Sequence, residues 1–254
     1  MRALWNGSIS FGLINIPVKL YSGTNPREGL DLNLLHKLDH SPIRYSRVCR
    51  KDGREVPWDE IVKGYKYEDG DYIVLSQKEL DSLDAKKTHS IDIHQFIEAA
   101  DVDPRFFEKP YYLEPLKGGE KAYALLRQAL QQSGKLALAK FVLSQREHAA
   151  VIMPHGRALV LEQMRFPTDL REVGELNLPG DREVTKSEIE MSLKLVRQET
   201  KPFIPEDLRD TYTEELEEII AKKAQGKKIT KTKAQAPTPT KDLMATLKAS
   251  LNKR

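Results

Sequence analysis

Alternating apolar and polar positions predict β-strands along the first two thirds of the chain. Within residues 7–21, Ile14, Ile16, Val18 and Leu20 recur at every second position, which is typical of a strand with one buried face. Shorter patterns predict further strands over 71–75, 90–97, 111–113, 135–143, 149–153 and 158–164. Many short strands separated by turn residues favour a β-barrel or a β-sandwich body.

Helical spacing is confined to a few segments. Residues 120–132 place an apolar stripe on one face, and Gly134 is positioned to end that helix. The sequences Ser76–Glu79 and Thr185–Glu188 are capping boxes, which predict helices beginning there, the second running to about Glu199. A further helix is predicted over 211–223, so that two helices follow the β body as an arm.

The stretch from His36 to Trp58 is basic and carries few apolar side chains. Its cations are Lys37, Arg44, Arg47, Arg50, Lys51 and Arg54. Residues 43–50 suit an extended strand, 51–53 a turn and 54–58 the returning strand, which together predict a β-ribbon. A ribbon of this composition cannot be core, so we expect it to project and to be able to lie along phosphates. The alternative is a solvated arginine-rich hairpin without a ligand.

Charge is distributed unevenly behind a net value of +3. Residues 222–254 hold ten basic residues and one acid, a net +9, which leaves −6 for residues 1–221. A polyanion must therefore meet a local basic patch and not a general positive field. The single cysteine excludes an internal disulfide and fits a reducing cytosol. With no signal-like apolar segment at the N-terminus and no run of membrane-spanning length, we expect a cytoplasmic protein without membrane contact.

Motifs for catalysis or cofactor binding are missing from the sequence. Gly134-Lys135 and Gly226-Lys227 lack the remaining residues of a phosphate-binding loop. His36, His40 and Cys49 supply only part of a zinc ligand set. The sequence predicts no enzyme, no cofactor and no metal. Binding is what remains, through the ribbon, through Arg146 between two strands, or through the lysine-rich tail.

Four segments, in order along nearly the whole chain, together resemble bacterial Ku. They are MRALWNGSISFGLINIPVKLYS, RYSRVCRKDGREVPWDEIVKGYKY, PYYLEPLKGGEKAYALL and KPFIPEDLRDTYTEELEEIIAKK. The resemblance implies a homodimeric ring that binds double-stranded DNA ends in non-homologous end joining, on the nucleoid. It also implies recruitment of a multifunctional ATP-dependent DNA ligase through the terminal region.

The resemblance sharpens the predicted architecture to a mixed, mainly β fold. It implies a β-barrel core over residues 1–184, with a projecting basic β-ribbon or bridge over about 31–75. A helical arm for dimerisation follows over 185–224. Residues 225–240 form a flexible linker rich in Lys, Pro and Thr, and 241–254 a short amphipathic helix.

Site residues follow from the same resemblance. DNA binding is expected from Arg44, Arg47, Arg50, Lys51, Arg54 and Arg146, with salt-sensitive help from the linker residues Lys227, Lys228, Lys231 and Lys233. Strand alternation lets only one face of the ribbon meet DNA. We favour the face of Arg44, Ser46, Val48 and Arg50, because the other would set Tyr45 and Cys49 where phosphates pass.

The C-terminal helix carries an apolar stripe suited to a groove on a partner protein. Its members are Leu243, Met244, Leu247 and Leu251. The alternative is that this helix packs on its own body. Two other functions compete with DNA end binding: an RNA- or ribosome-associated protein that binds through its basic tail, and a hydrolytic or transfer enzyme with an unrecognised site.

Overall fold

The predicted strands close into a barrel. The computed structural model describes residues 1–25, 32–68, 70–84, 89–144, 146–180 and 184–226, together with Leu247 and Ser250. The strands of this part are β1 (Trp5–Phe11), β2 (Ile14–Ser22), β3 (Lys63–Lys66), β4 (Tyr72–Leu75), β5 (Ser90–Glu98), β6 (Phe107–Pro115), β7 (Lys135–Leu143), β8 (Arg146–His155) and β9 (Ala158–Met164). Its α-helices are α1 (Gln77–Asp84), α2 (Glu120–Ser133), α3 (Lys186–Glu199) and α4 (Thr211–Ala224).

Seven strands form the barrel in the order β1-β2-β6-β9-β8-β7-β5. Neighbouring strands are antiparallel, except that β1 and β5 close the barrel as a parallel pair. Closure leaves no free edge within the barrel, and free edges are what make an open sheet prone to aggregate. The barrel alternative is therefore confirmed over the sandwich.

The alternation in residues 7–21 spans two strands and not one. Gly12, with φ of +58°, turns the chain between β1 and β2. Pro17 lies in the middle of β2, where a proline favours an edge or a bulge. The structure instead pairs β2 on both sides. Proline is accommodated because the ladder to β6 begins one residue later, at Val18 opposite Pro115.

The barrel interior is filled by inward-facing side chains from every strand. Large groups such as Phe141 lie beside the small Ala137, Ala139 and Ala150, so that the layers interdigitate. The predicted helix over 120–132 is confirmed as α2, which adds Tyr123, Leu126 and Leu130 to the same core. Gly134 ends α2 in the left-handed conformation, with φ of +68°.

The basic ribbon is less regular than the sequence suggests. The turn over 51–53 is confirmed, with the Gly53 N–H donating to the Cys49 carbonyl at 2.9 Å and φ of +72° at Gly53. The predicted long strands reduce to one bridge, between Val48 and Glu55. The residues around this bridge are exposed except for Cys49 and Val56, which are half-buried, so no continuous apolar face extends the pairing.

The C-terminal helices match their predicted starts. Thr185 caps α3 through a reciprocal capping box with Glu188, and the Asp210 carboxylate accepts from the Thr213 N–H to cap α4. From Val173 onward the chain belongs to a second compact unit, separate from the unit that includes Asn33–Glu172. Of the predicted terminal helix, only Leu247 and Ser250 are among the described residues, and both are helical.

Candidate nucleic-acid interface

The bridge enters and leaves the barrel at one end. It departs after Ser22, the last residue of β2, and returns at Ser90, the first residue of β5. The strand register around the barrel pairs Ser22 with Tyr111, Phe107 with Met164, Met164 with Ala149 and Phe141 with Ile91. These pairs all lie near the same rim. The turn between β7 and β8, which carries Arg146, is at this rim too.

Helix α2 covers the opposite end. The Tyr123 hydroxyl donates to the Leu113 carbonyl at 2.6 Å and accepts from the Leu159 N–H at 2.6 Å. Leu113 lies near the end of β6 and Leu159 near the start of β9, which are the ends of these strands away from Phe107 and Met164 at the bridge rim. Burial raises the pKa of the Tyr123 phenol, which stays a neutral donor. The barrel therefore has one capped end and one end that carries the bridge.

The basic hairpin is held together by backbone bonds on either side of Val48 and Glu55. The Cys49 N–H donates to the Arg54 carbonyl at 2.8 Å, and the Val56 N–H donates to the Arg47 carbonyl at 2.8 Å. Arg47 thus lies opposite Val56, and Cys49 opposite Arg54. Opposed residues share a face, so Arg47 and Arg54 are on one side of the hairpin and Val48 and Glu55 on the other.

Arg47 has an aromatic partner. Its guanidinium carbon lies over the indole of Trp58, 4.8 Å from the ring centroid. Trp58 follows Val56 by two residues and so belongs to the Arg47 face. A cation at this distance from an indole is held by the ring quadrupole. This contact was not predicted from the sequence, although an aromatic residue two positions beyond the cross-strand partner of an arginine was a signal for it.

The remaining predicted cations of the hairpin are exposed. Arg54 approaches Asp52 at 3.9 Å, while both side chains are open to solvent. In the described part of the chain, Arg44, Arg50 and Lys51 form no ion pair. Solvated cations without a carboxylate partner are available to phosphates, and their release of counterions is what drives such binding.

Arg146 stands at the barrel rim as predicted, as the first residue of β8. The turn before it holds Ser144 in the left-handed region, with φ of +50°. Next to it, Glu147 accepts from the Lys140 ammonium at 3.2 Å, so the neighbouring acid is already paired. Arg146 itself is exposed and belongs to the same compact unit as the hairpin.

The two bridge histidines lie in a tight loop before the hairpin. His36 Nδ1 is 2.9 Å from an Asp39 carboxylate oxygen, and the same oxygen accepts from the Ser41 N–H at 3.0 Å. The backbone bond from Ser41, aided by His36, lowers the pKa of Asp39. Among the described residues, no group of three or more His, Cys, Asp or Glu side chains is arranged to hold a metal.

The second hairpin of the bridge was predicted in part: a strand was expected over 71–75, where β4 lies, but its partner β3 was not expected. Residues 58–67 were not expected to form a strand, yet Tyr65 pairs with Ile73 and Gly64 with Val74. Its residues are all exposed, including Tyr65, Tyr72 and Val74. The Asp69-Gly70 pair between two β-prone segments was the available hairpin signal.

Of the predicted tail residues, the structure describes one, Leu247. Lys227, Lys228, Lys231, Lys233, Leu243, Met244 and Leu251 lie outside the described residues. Leu247 is described, and it is helical and half-buried. Within the described chain, no helix is long and apolar enough to cross a bilayer.

These features define a class of protein: a closed β-barrel that carries a basic, exposed bridge at one end and is followed in the chain by two helices. The family model described as the Ku70/Ku80 beta-barrel domain matches residues 10–191. The chain belongs to the Ku family.

Relatives that are themselves named as Ku proteins match nearly the full chain. The non-homologous end joining protein Ku of Opitutus terrae is 45% identical over 258 residues, covering 99% of this chain and 92% of the relative. The protein of the same name from Heliobacterium modesticaldum is 39% identical over 254 residues, covering 99% and 91%. That of Archaeoglobus fulgidus is 38% identical over 254 residues, covering 99% and 98%.

Proposed function

We propose that this protein acts in non-homologous end joining, where two copies form a ring that a double-stranded DNA end threads into. The observation that carries the proposal is the basic bridge, inserted at one end of the barrel in a chain that belongs to the Ku family. Binding is through the DNA backbone and is independent of sequence, because the hairpin offers exposed cations for phosphates and the sequence carries no helix-turn-helix, zinc-finger or RRM signature for reading bases.

The bridge cations supply the electrostatic part of binding. Arg44 and Arg50 meet phosphates from the Val48 face of the hairpin, Lys51 meets them from its turn, and Arg146 meets them from the barrel rim. Arg47 and Arg54, on the other face, add positive charge to the same hairpin. Since residues 1–221 are net acidic, the duplex is drawn to the bridge and not to the body as a whole. A closed ring then retains DNA by topology, which needs few strong contacts.

Dimerisation uses the helical arm over 185–224. Helix α3 exposes Ile189, Leu193 and Val196 at the i, i+4 and i+7 positions, an apolar stripe of a kind that packs on another surface. The exposed β3–β4 hairpin adds Tyr65, Ile73 and Val74, and an isolated two-stranded hairpin is marginal in water without a covering partner. A second copy of this chain supplies that cover.

The chain beyond residue 224 has two further roles in this proposal. The lysines at 227, 228, 231 and 233 add salt-sensitive affinity for DNA, and the stripe of Leu243, Met244, Leu247 and Leu251 recruits a multifunctional ATP-dependent DNA ligase. The protein itself catalyses no step. Its work is to hold ends and gather the ligase at the nucleoid.

A topological experiment tests the ring. The affinity of the full-length protein is measured for a linear duplex and for the same duplex closed into a covalent circle, at matched salt. We expect strong binding to the linear form alone, because only a free end can thread an opening. Equal binding to both forms would overturn the ring. If binding then disappears when residues 222–254 are removed, an RNA- or ribosome-associated protein that binds through its tail takes its place.

A further inference from the structure

An exposed cluster of two aromatic rings and an arginine lies on the basic hairpin. Trp58 is 72% exposed and Tyr45 is 83% exposed. The Arg47 guanidinium covers one side of the Trp58 indole, 4.8 Å from the ring centroid. Rings of this size are usually buried in a monomer, so two of them on a projecting basic hairpin require an explanation.

The cluster of Tyr45, Arg47 and Trp58 is an exposed surface and not part of a core, and we call it the platform. The Val56 N–H donates to the Arg47 carbonyl, which puts Arg47 opposite Val56, and Trp58 follows Val56 by two residues. Tyr45 precedes Arg47 by two residues, the spacing of side chains that share a face of extended chain. Pro57 and the short helical turn Trp58–Glu60 fix the backbone at the indole. The ring is thus held in position by Arg47 while most of its surface meets solvent.

The charge around the platform points to a polyanion. Between residues 43 and 58 the chain has five arginines and lysines and two acids. Exposed aromatic faces flanked by free cations are the chemistry that binds single-stranded nucleic acid: bases stack on the rings while the backbone follows the cations. In a duplex the faces of internal bases are already stacked on each other, so beyond the outer face of the terminal pair only unpaired bases offer an indole a free surface.

We propose that Trp58, with Arg47 and Tyr45, stacks the unpaired bases of a single-stranded extension at a DNA end. This site adds a ligand to the proposed function. It rests on that function, because the single-stranded extension belongs to the DNA end that the ring binds. Arg50, Lys51 and Arg54 neutralise the phosphates of the extension. Because every base offers a π-face, the site accepts any sequence. The hairpin therefore has a second role besides contacting the threaded duplex, which is to recognise ends that carry an overhang.

The chain offers a direct optical probe of the site. It contains two tryptophans, and Trp5 is half-buried in the barrel and stacked on His89, with ring centroids 6.2 Å apart. In a Trp5→Phe protein, Trp58 is the only indole. Titration with a short oligothymidine, which has no duplex, is expected to quench its fluorescence. Trp5→Phe alone also serves as the matched control for changing a tryptophan outside the platform.

Affinity measurements identify the stacking role. Wild type, Trp5→Phe, Trp58→Leu and Trp58→Phe are titrated with a blunt duplex and with the same duplex bearing a four-nucleotide 3′ extension. We expect Trp58→Leu to lose about tenfold in affinity for the extended duplex, in line with the loss of one or two stacked bases, and to keep its affinity for the blunt one. Trp58→Phe restores most of the loss, because a ring is present again.

Three results would overturn the platform. One is equal loss on blunt and extended duplexes, which makes Trp58 a duplex contact. Another is a change in the oligomeric state of Trp58→Leu by size-exclusion chromatography with light scattering, which makes it a subunit contact. The third is the absence of oligothymidine quenching. The ring and the platform are tested independently. If the protein binds circular and linear duplexes alike, the ring is wrong, but oligothymidine can still quench the Trp58 fluorescence.

Discussion

The hydroxyl of Tyr123 donates to the carbonyl oxygen of Leu113 across 2.6 Å, and this bond ties helix α2 to the end of the barrel. The Tyr123 hydroxyl oxygen also accepts from the Leu159 N–H, so one side chain satisfies backbone groups on two strands. Leu113 and Leu159 are paired with each other in the β6–β9 ladder, near the point where that ladder ends. The tyrosine thus continues a hydrogen-bond network that the strands cannot complete.

Replacing Tyr123 with phenylalanine is expected to lower the free energy of unfolding by roughly 1–3 kcal/mol, because it leaves a buried carbonyl and a buried N–H without a partner. Chemical denaturation checks the value. Tyr112→Phe is the matched control, since the Tyr112 hydroxyl has no hydrogen bond to a described residue, and its effect should stay within about 0.5 kcal/mol. Similar losses in both variants would contradict the role of Tyr123.

Reversing two cations of the hairpin tests the phosphate contacts. Arg44→Glu with Arg50→Glu is expected to abolish binding to linear duplex in a gel-shift titration while the dimer survives, because both side chains are exposed and lack ion-pair partners among the described residues. A milder pair, Arg44→Gln with Arg50→Gln, should reduce the slope of log affinity against log salt by about 2, near 0.9 for each lost phosphate contact.

A control pair tests whether that loss is due only to the change in the protein's net charge. Lys117→Glu with Lys121→Glu changes the net charge by the same amount on exposed residues around the start of α2, at the end of the barrel opposite the bridge. This pair should bind linear duplex nearly as wild type does. Unchanged affinity in the Arg44 and Arg50 variants, or equal loss in the lysine control, would refute the assignment of the hairpin.

The apolar stripe of the terminal helix is tested by Leu247→Asp with Leu251→Asp. We expect this variant to bind DNA ends normally and to lose its stimulation of the partner ligase in an end-joining assay. Ala245→Asp with Ala249→Asp adds the same charge about half a turn away on a helix of 3.6 residues per turn, and should keep the stimulation. Equal stimulation by the leucine variant and wild type would reject the stripe as the ligase contact.

Glu162 makes stability depend on pH. It faces outward from β9, and burial raises the pKa of its carboxyl, while the Glu108 backbone N–H lowers it in part. Because the folded-state pKa lies above the unfolded value, protonation of Glu162 stabilises the fold. This stabilisation is fully present below the unfolded pKa, near 4.3, and is lost as pH rises through the folded pKa. At neutral pH the ionised group therefore destabilises the fold.

Replacing Glu162 with its neutral isostere glutamine measures this destabilisation. Glu162→Gln should raise the free energy of unfolding at pH 7, and the gain should shrink towards zero as pH falls to about 3, well below the unfolded pKa, where the carboxyl is protonated in both states. Urea denaturation at several pH values measures the trend. Glu190→Gln, on the exposed surface of α3, is the control. A gain that does not vary with pH would show that ionisation of Glu162 is not its origin.

Local patterns were enough for most of the elements. Strand β7 has the bounds that alternation predicted, β9 does too, and α2 extends the predicted helix by one residue to the glycine that ends it. Capping boxes located the starts of α1 and α3, because a side chain that bonds the N3 backbone is a contact within four residues. In the β3–β4 hairpin the strand at β4 was predicted over 71–75, but β3 was missed, since all four of its residues are exposed and give no apolar alternation.

The sequence by itself determined the chemistry of the site: a basic stretch with its turn, a body of opposite charge and the family to which the chain belongs. Which residues share a face, and which share an end of the barrel, was decided only by the tertiary structure. Arg47 reaches Trp58 because backbone bonds set the hairpin register, and Arg146 joins the bridge roots because seven strands close in one order. Arg47 and Trp58 are eleven residues apart, whereas Arg146 and the bridge roots are distant in the chain, and in both cases the pairing of strands is what brings the residues together.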